Sequence, residues 1–226
     1  MIVVRRKPIE SILAFLAPYR KVLLLGCGSC AAVCFAGGEK ETEEMACLLP
    51  VMAADKGMDL EVRAATCQRV CDWEFVEPVL AGDDKPDAVV SFSCGAGTNL
   101  LADHLGAIRV FPGVDTLFIG ATTEHGQWQE MCSGCGDCVL DRTFGICPIA
   151  RCSKSILNGP CGGSKDGKCE INPETDCGWI KIVERAQALG KLDDLASTYI
   201  APKNWASSHH GGPRRVKRED LKIAKP

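Results

Sequence analysis

The sequence has no apolar run near the roughly 18 residues that suggest a membrane span. No charge sign dominates either: 26 Lys and Arg against 29 Asp and Glu leave a formal charge of −3. That balance argues against a dedicated nucleic-acid binder, which would be clearly basic. Aromatics make up 6% of the residues and are not interleaved with basic ones, so single-stranded nucleic acid is not an expected partner. The four histidines fall in neither a C-x-x-C-H haem motif nor an H-E-x-x-H zinc motif. There is no G-x-S-x-G, no P-loop and no convergent carboxylate pair, so no catalytic residue is assigned. The first 18 residues lack secretory character: Glu10 interrupts the apolar stretch, and no small-x-small cleavage site follows. A reducing cytoplasm is the expected compartment.

What is abundant is cysteine, 15 in 226 residues. The odd count, the chain length and the expected compartment all disfavour a disulfide framework. Metal ligation is the better reading of so many thiols. The rest of the composition, 46% hydrophobic and 24% charged, is that of an ordinary globular chain with room for one large domain or two small ones.

The first half reads as strand–loop–helix repeated. Candidate strands are Lys21–Leu25, Leu60–Ala65, Asp87–Phe92, Ile108–Phe111 and Thr116–Ile119. Helical patterns lie between them at Glu39–Lys56, Trp73–Leu80 and Thr98–Leu105, with Pro50 expected to kink or end the first. A short amphipathic helix over Ile9–Leu16, behind Pro8, precedes them all. The pattern predicts an α/β domain over residues 1–126: a mostly parallel, Rossmann-like sheet with flanking helices. Residues 127–202 form a loop-rich cysteine-rich segment closed by a helix over Trp179–Leu189. Without long apolar runs, this segment needs metal or a partner to fold. The tail 203–226 carries Lys203, Arg214, Arg215, Lys217, Arg218, Lys222 and Lys225 against Glu219 and Asp220. It is expected to be an arm that docks an acidic partner.

Cys132-x-x-Cys135-x-x-Cys138 followed by Cys147-Pro148 has the ferredoxin style of iron–sulfur ligation. A tight loop turns three thiolates toward one cluster, and a remote cysteine closes the fourth corner. Structural zinc more often uses two separated C-x-x-C pairs. Cys152, Cys161, Cys169 and Cys177 follow at wider gaps, with the sharp turn Asn158-Gly159-Pro160-Cys161-Gly162-Gly163 among them. Spacing leaves cluster and zinc both open for this set, and Cys147 could be shared with it.

Six further cysteines follow the candidate strands of the first half: Cys27, Cys30 and Cys34, then Cys67 and Cys71, then Cys94. The carboxyl ends of parallel strands share one edge, where ligands bind. These six therefore constitute a candidate third metal site. Cys47, in mid-helix, reads as a small buried hydrophobe, His104 as a helix-surface residue and His125 as a further candidate ligand. Gly26-x-Gly28-x-x-Ala31 fits the dinucleotide fingerprint, but the acidic residue expected about 20 positions on is missing. Cys27-x-x-Cys30 alone also fits a thioredoxin-like redox pair.

Several runs carry a family resemblance: Cys135-Gly136-x-Cys138, Ile146-Cys147-Pro148, Arg151-Cys152-x-Lys154, Leu157 through Gly163 (LNGPCGG), Gly167-x-Cys169-Glu170 and Cys177-x-Trp179. Together they resemble the cysteine-rich methylenetetrahydrofolate reductase C-terminal family, some members of which are described as zinc-finger-like. Gly26 through Cys30 extends the likeness into the first half. The resemblance implies the small iron–sulfur subunit that accompanies the flavin-bearing barrel subunit of that reductase in acetogens and related anaerobes. It implies two [4Fe-4S] clusters with a third as a candidate, zinc at one site as the alternative, and flavin in the partner rather than here. The implied role is electron relay between an outside donor, ferredoxin or a further redox subunit, and the partner's flavin. The implied chain is not catalytic alone; the alternative is a zinc-stabilised scaffold subunit of the same complex.

Overall fold

The computed structural model describes residues 1–82, 84–209, 213–218 and 220. The chain divides into two compact units, Met1–Glu130 and Met131–Pro226. In order, the first contains β1 (Ile2–Arg6), α1 (Ile9–Leu16), β2 (Lys21–Cys27), α2 (Cys30–Val33), α3 (Glu39–Asp55), β3 (Glu61–Cys67), α4 (Trp73–Leu80), β4 (Ala88–Phe92), α5 (Gly95–Leu105), β5 (Arg109–Pro112) and β6 (Val114–Glu124). β7 (Gln127–Cys132) crosses the division. Then come α6 (Pro148–Arg151), α7 (Gly178–Ala188), α8 (Leu192–Ser197) and α9 (Ala206–His209).

The parallel sheet of the first unit has the order β3-β2-β4-β5, and every pairing in it is parallel. β2 and β4 are its central strands. Val22 through Leu25 and all five residues of β4 are buried, which is why these strands read as continuous apolar runs rather than alternating ones. Helices cover the sheet as expected: Ile12, Leu13 and Leu16 of α1 are buried, as are Met45, Leu49 and Ala53 of α3.

Thr116–Ile119 is not a fifth parallel strand. It lies within β6, in a separate three-stranded sheet of order β1-β6-β7 in which β1 and β6 run antiparallel. β1 escapes a reading by periodicity because Ile2, Val3 and Val4 are followed at once by Arg5 and Arg6. β3 extends two residues further than expected, to Cys67. α3 continues through Pro50 to Asp55, with Leu49 and Ala53 both fully buried on either side of the proline. Cys47 is exposed rather than packed. The buried face of α3 runs Thr42, Met45, Leu49, Ala53, and Cys47 stands about 200° around the helix from Met45.

The second unit is loop-rich. Its hydrophobic cluster is small: Cys177, Trp179 and Ile182, with Ile146, Cys152, Ile180 and Leu195 partly buried against them. Polar contacts supplement it. The Trp179 indole N–H donates to the Ile156 carbonyl at 2.7 Å. Asn158 accepts from the Ile200 N–H and donates to the Ile200 carbonyl, both at 2.8 Å. Gly159 lies against the Trp179 ring, where a Cβ would come within 2.6 Å of it.

Candidate metal centres

The eight cysteines of the second unit sort into two pockets of four. One pocket, of about 180 Å³, is lined by Cys132, Cys135, Cys138 and Cys147, together with Gly134, Leu140 and Ile149. The other, of about 10 Å³, is lined by Cys152, Cys161, Cys169 and Cys177, together with Lys154, Glu170 and Trp179. Cys147 therefore belongs with the C-x-x-C-x-x-C loop and not with the later set. Among the described residues, no three His, Cys, Asp or Glu side chains stand in ion-holding geometry as they are placed. The cysteines are gathered around shared pockets rather than drawn into a formed coordination shell.

Local chain geometry explains the first gathering. Gly134 and Gly136 take φ values of 63° and 79°, the left-handed region that lets the chain turn tightly between cysteines. Cys132 Sγ accepts from the Gly134 N–H at 3.4 Å, and Cys147 Sγ, capping α6, accepts from the Ala150 N–H at 3.5 Å. Pro148 follows as the first residue of α6, where its missing N–H costs nothing.

Cys135 has the most developed environment. Burial alone would push its thiol up, but a backbone hydrogen bond at Asp137 and the Lys203 ammonium outweigh burial and hold it below its ordinary value of 9.0. Lys203 Nζ lies 3.3 Å from Cys135 Sγ and 3.8 Å from the Asp137 carboxylate. The tail thus contributes to the site. Lys203, expected in a docking arm, is buried, and Arg214 donates to the Gly134 carbonyl at 3.2 Å. Arg218 pairs with Asp220. Glu219, Lys222 and Lys225 of the same tail lie outside the described residues.

In the second pocket, Cys169 is held below the ordinary thiol value by a hydrogen bond with Ser153 and by backbone donors at Ile171 and Asn172, which together exceed the effect of burial. Cys161 Sγ lies 3.9 Å from a Glu170 oxygen, and Glu170 pairs with Lys154. Cys177 is buried at the start of α7. Gly163 accommodates the Glu170 carboxylate, which occupies the space a Cβ would need.

The six cysteines of the first unit do not gather as one set. Cys27 and Cys67 are register partners at the ends of β2 and β3. Cys34 turns away, its thiol 3.8 Å from the Ile2 carbonyl on β1, and electrostatic interaction couples it to Cys30. His104 is exposed and stacks on Trp73, whereas the His125 ring packs 5.3 Å from that of Phe35. The fingerprint glycines serve packing: a Cβ on Gly26 would strike the Thr42 and Thr66 hydroxyls at 2.5 Å, and the helix that follows the turn has four residues. No helix among the described residues is long and apolar enough to cross a membrane.

Neither the curated proteins nor the solved structures include a significant match to the chain. Residues 111–206 match the family model described as methylene-tetrahydrofolate reductase C terminal. That span contains all eight cysteines of the two pockets together with Lys203, and leaves the cysteines of the first unit outside it. The likeness to that reductase C-terminal family is thus one of residues 111–206, less than half of the chain.

Proposed function

We propose that this chain is the electron-transfer subunit of a methylenetetrahydrofolate reductase complex. In this reading it relays electrons between an external donor, ferredoxin or another redox subunit, and the flavin of a catalytic partner. What carries the proposal is the pocket lined by Cys132, Cys135, Cys138 and Cys147, with donors directed at its sulfurs, inside the span that matches the reductase family. Its donor set fits a [4Fe-4S] cluster: four thiols, an apolar wall from Leu140 and Ile149, and left-handed glycines that bring backbone close. When bound, such a cluster supplies one-electron transfer. The chain's part is to hold the four thiolates, to exclude water with the apolar wall and to set the local charge through Lys203. No residue of the chain is assigned a role on folate, so activity requires the partner.

Cys152, Cys161, Cys169 and Cys177 would hold a second centre. A second cluster remains the first reading there. A single zinc ion with a structural role is the alternative there, since four cysteines also suit a tetrahedral zinc site. If zinc filled both pockets, the chain would be a scaffold rather than a relay.

Anaerobic purification followed by iron, zinc and acid-labile sulfide analysis tests the reading. Expected is a brown protein, bleached by dithionite, that loses iron and electron delivery to the flavin when Cys135 is replaced by Ser. A colourless, iron-free protein, or full iron content and unchanged turnover in Cys135→Ser, rejects it.

A further inference from the structure

The tail 203–226 has a charge opposite to that of the rest of the chain. It holds seven Lys and Arg and two Asp and Glu. Taking these from the totals of 26 and 29 leaves residues 1–202 with 19 basic and 27 acidic side chains, a net charge of −8 against +5 in the tail. Positive potential is therefore concentrated in this segment.

Two contacts fasten the tail to the loop of the first pocket. Lys203 Nζ lies 3.3 Å from Cys135 Sγ. Arg214 donates at 3.2 Å to the carbonyl of Gly134, which stands between Cys132 and Cys135. Arg215, Val216, Lys217 and Arg218 follow this second anchor and are all exposed, Val216 at 92%. Arg218 is four residues past Arg214, so even a fully extended chain keeps it within about 14 Å of the anchor. Its guanidinium pairs with Asp220. The pocket is open on this side of the loop: Cys132 and Cys138, which line it, are exposed. Trp205 is exposed too, its ring centre 6.0 Å from the Lys203 ammonium.

We propose that the basic segment Arg214–Arg218, held against the Cys132–Cys138 loop, is the docking surface for the external electron donor, an acidic one-electron carrier protein. The proposal rests on the electron-relay reading and adds to it the place and the charge of the donor.

Charge selects both the site and the partner. An acidic carrier is repelled by residues 1–202 and attracted by the tail, so its encounter with the chain is steered to one place. The tail's two anchors fix that place beside the first pocket. One electron leaves the reduced carrier and enters this chain next to Cys132 and Cys138, and no bond forms or breaks. Val216 and Trp205 supply the apolar contact that a charged rim lacks. A long polyanion is a poorer fit, because it must lie along an extended basic surface and the acidic remainder of the chain opposes it.

The test measures binding of the oxidised chain, purified anaerobically, to an oxidised acidic ferredoxin by isothermal titration calorimetry, so no turnover is needed. Arg215→Glu/Lys217→Glu/Arg218→Glu reverses three charges and leaves Lys203 and Arg214 in place. At low salt this variant should bind about tenfold more weakly than wild type, with a flatter dependence on ionic strength. Reduction of the variant by pre-reduced ferredoxin should slow in parallel. Iron content, bleaching by excess dithionite and circular dichroism should be unchanged. Arg215→Lys/Arg218→Lys, which keeps the charge, should bind as wild type does. Equal affinity of wild type and triple variant, absence of binding by iron-loaded wild type, or loss of iron in the triple variant overturns the proposal. Tighter binding of wild type to a DNA duplex or to anionic lipid vesicles than to ferredoxin overturns it as well. Failure of the electron-relay reading shows instead as missing iron in the wild-type protein, so the two failures are distinguishable.

Discussion

Lys203 donates to the Cys135 sulfur across 3.3 Å with its side chain only 1% exposed. A buried ammonium is expensive unless it faces negative charge, and here it faces Cys135 and the Asp137 carboxylate. Lys203→Met should therefore raise the Cys135 thiol toward 9.0, while Lys203→Arg keeps it depressed. pH-dependent alkylation of the metal-free chain, read by mass spectrometry, checks this. In the iron-loaded protein the same loss of charge should make the reduction potential more negative, because a cation beside sulfur stabilises the reduced state. An unchanged alkylation midpoint in Lys203→Met would show that the contact has no electrostatic role.

The metal-free chain should lose stability as pH rises past 9. Burial raises Cys34, Cys67 and Cys71 above their ordinary 9.0, in each case as the largest cause. A raised thiol contributes stability that is complete below the unfolded value and is lost as pH climbs through the folded one. Cys135 and Cys169, both lowered, act with the opposite sign: their contribution is present above 9.0 and is lost as pH falls through their folded values. Thermal unfolding against pH in the presence of chelator measures the balance. Cys67→Val, which cannot ionise, should flatten the alkaline fall.

The central strands of the first unit were legible in the sequence because burial on both faces leaves long apolar runs. Leu23, Leu24 and Leu25 are all fully buried. Leu24→Ala should cost about 2–5 kcal/mol, the range for a deleted core leucine whose site cannot collapse. A denaturant titration that shows less than about 1 kcal/mol would mean the sheet repacks around the gap.

Short or edge elements were not legible, and each has its physical reason. β1 is five residues long, two of them arginine, and only its pairing with β6 makes it a strand. The eight cysteines of the second unit were legible as candidate ligands, but their division between two pockets of four was not, since spacing alone left Cys147 open to either set. Lys203 was hidden by its neighbourhood: seven basic residues in a polar tail read as a docking arm, and nothing local marks the one that is buried, its ammonium 6.0 Å from the centre of the Trp205 ring. Only the contact with Cys135, 68 residues away in sequence, separates it from the rest.

The second unit has so small a hydrophobic cluster that single contacts carry much of its order. Gly159→Ala would drive a Cβ to within 2.6 Å of the Trp179 ring and should cost about 1–3 kcal/mol. Asn158→Ala removes both bonds to Ile200 and leaves two backbone groups unpaired, a loss of about 1–3 kcal/mol. Limited proteolysis within residues 131–226 of the metal-free chain should accelerate in both variants. Equal cleavage rates in variant and wild type would place the order of this unit elsewhere.

The division of the cysteines makes a sharper prediction than their number. Cys147 caps α6 and faces the pocket of Cys132, Cys135 and Cys138, while Cys152, five residues on, faces the pocket of Cys161, Cys169 and Cys177. The four-residue α6 lies between the two sets of cysteines in sequence. Cys147→Ser should therefore reduce the iron signal of the first centre and leave the second intact, and Cys152→Ser should do the reverse. Spin-quantified EPR together with iron and zinc counts reads the two losses separately. If Cys147→Ser instead emptied the centre at Cys161 and Cys169, the cysteines would be shared across the pockets in the manner of two-cluster ferredoxins. The geometry around Cys147, whose sulfur already accepts from the Ala150 N–H at 3.5 Å, favours the unshared arrangement.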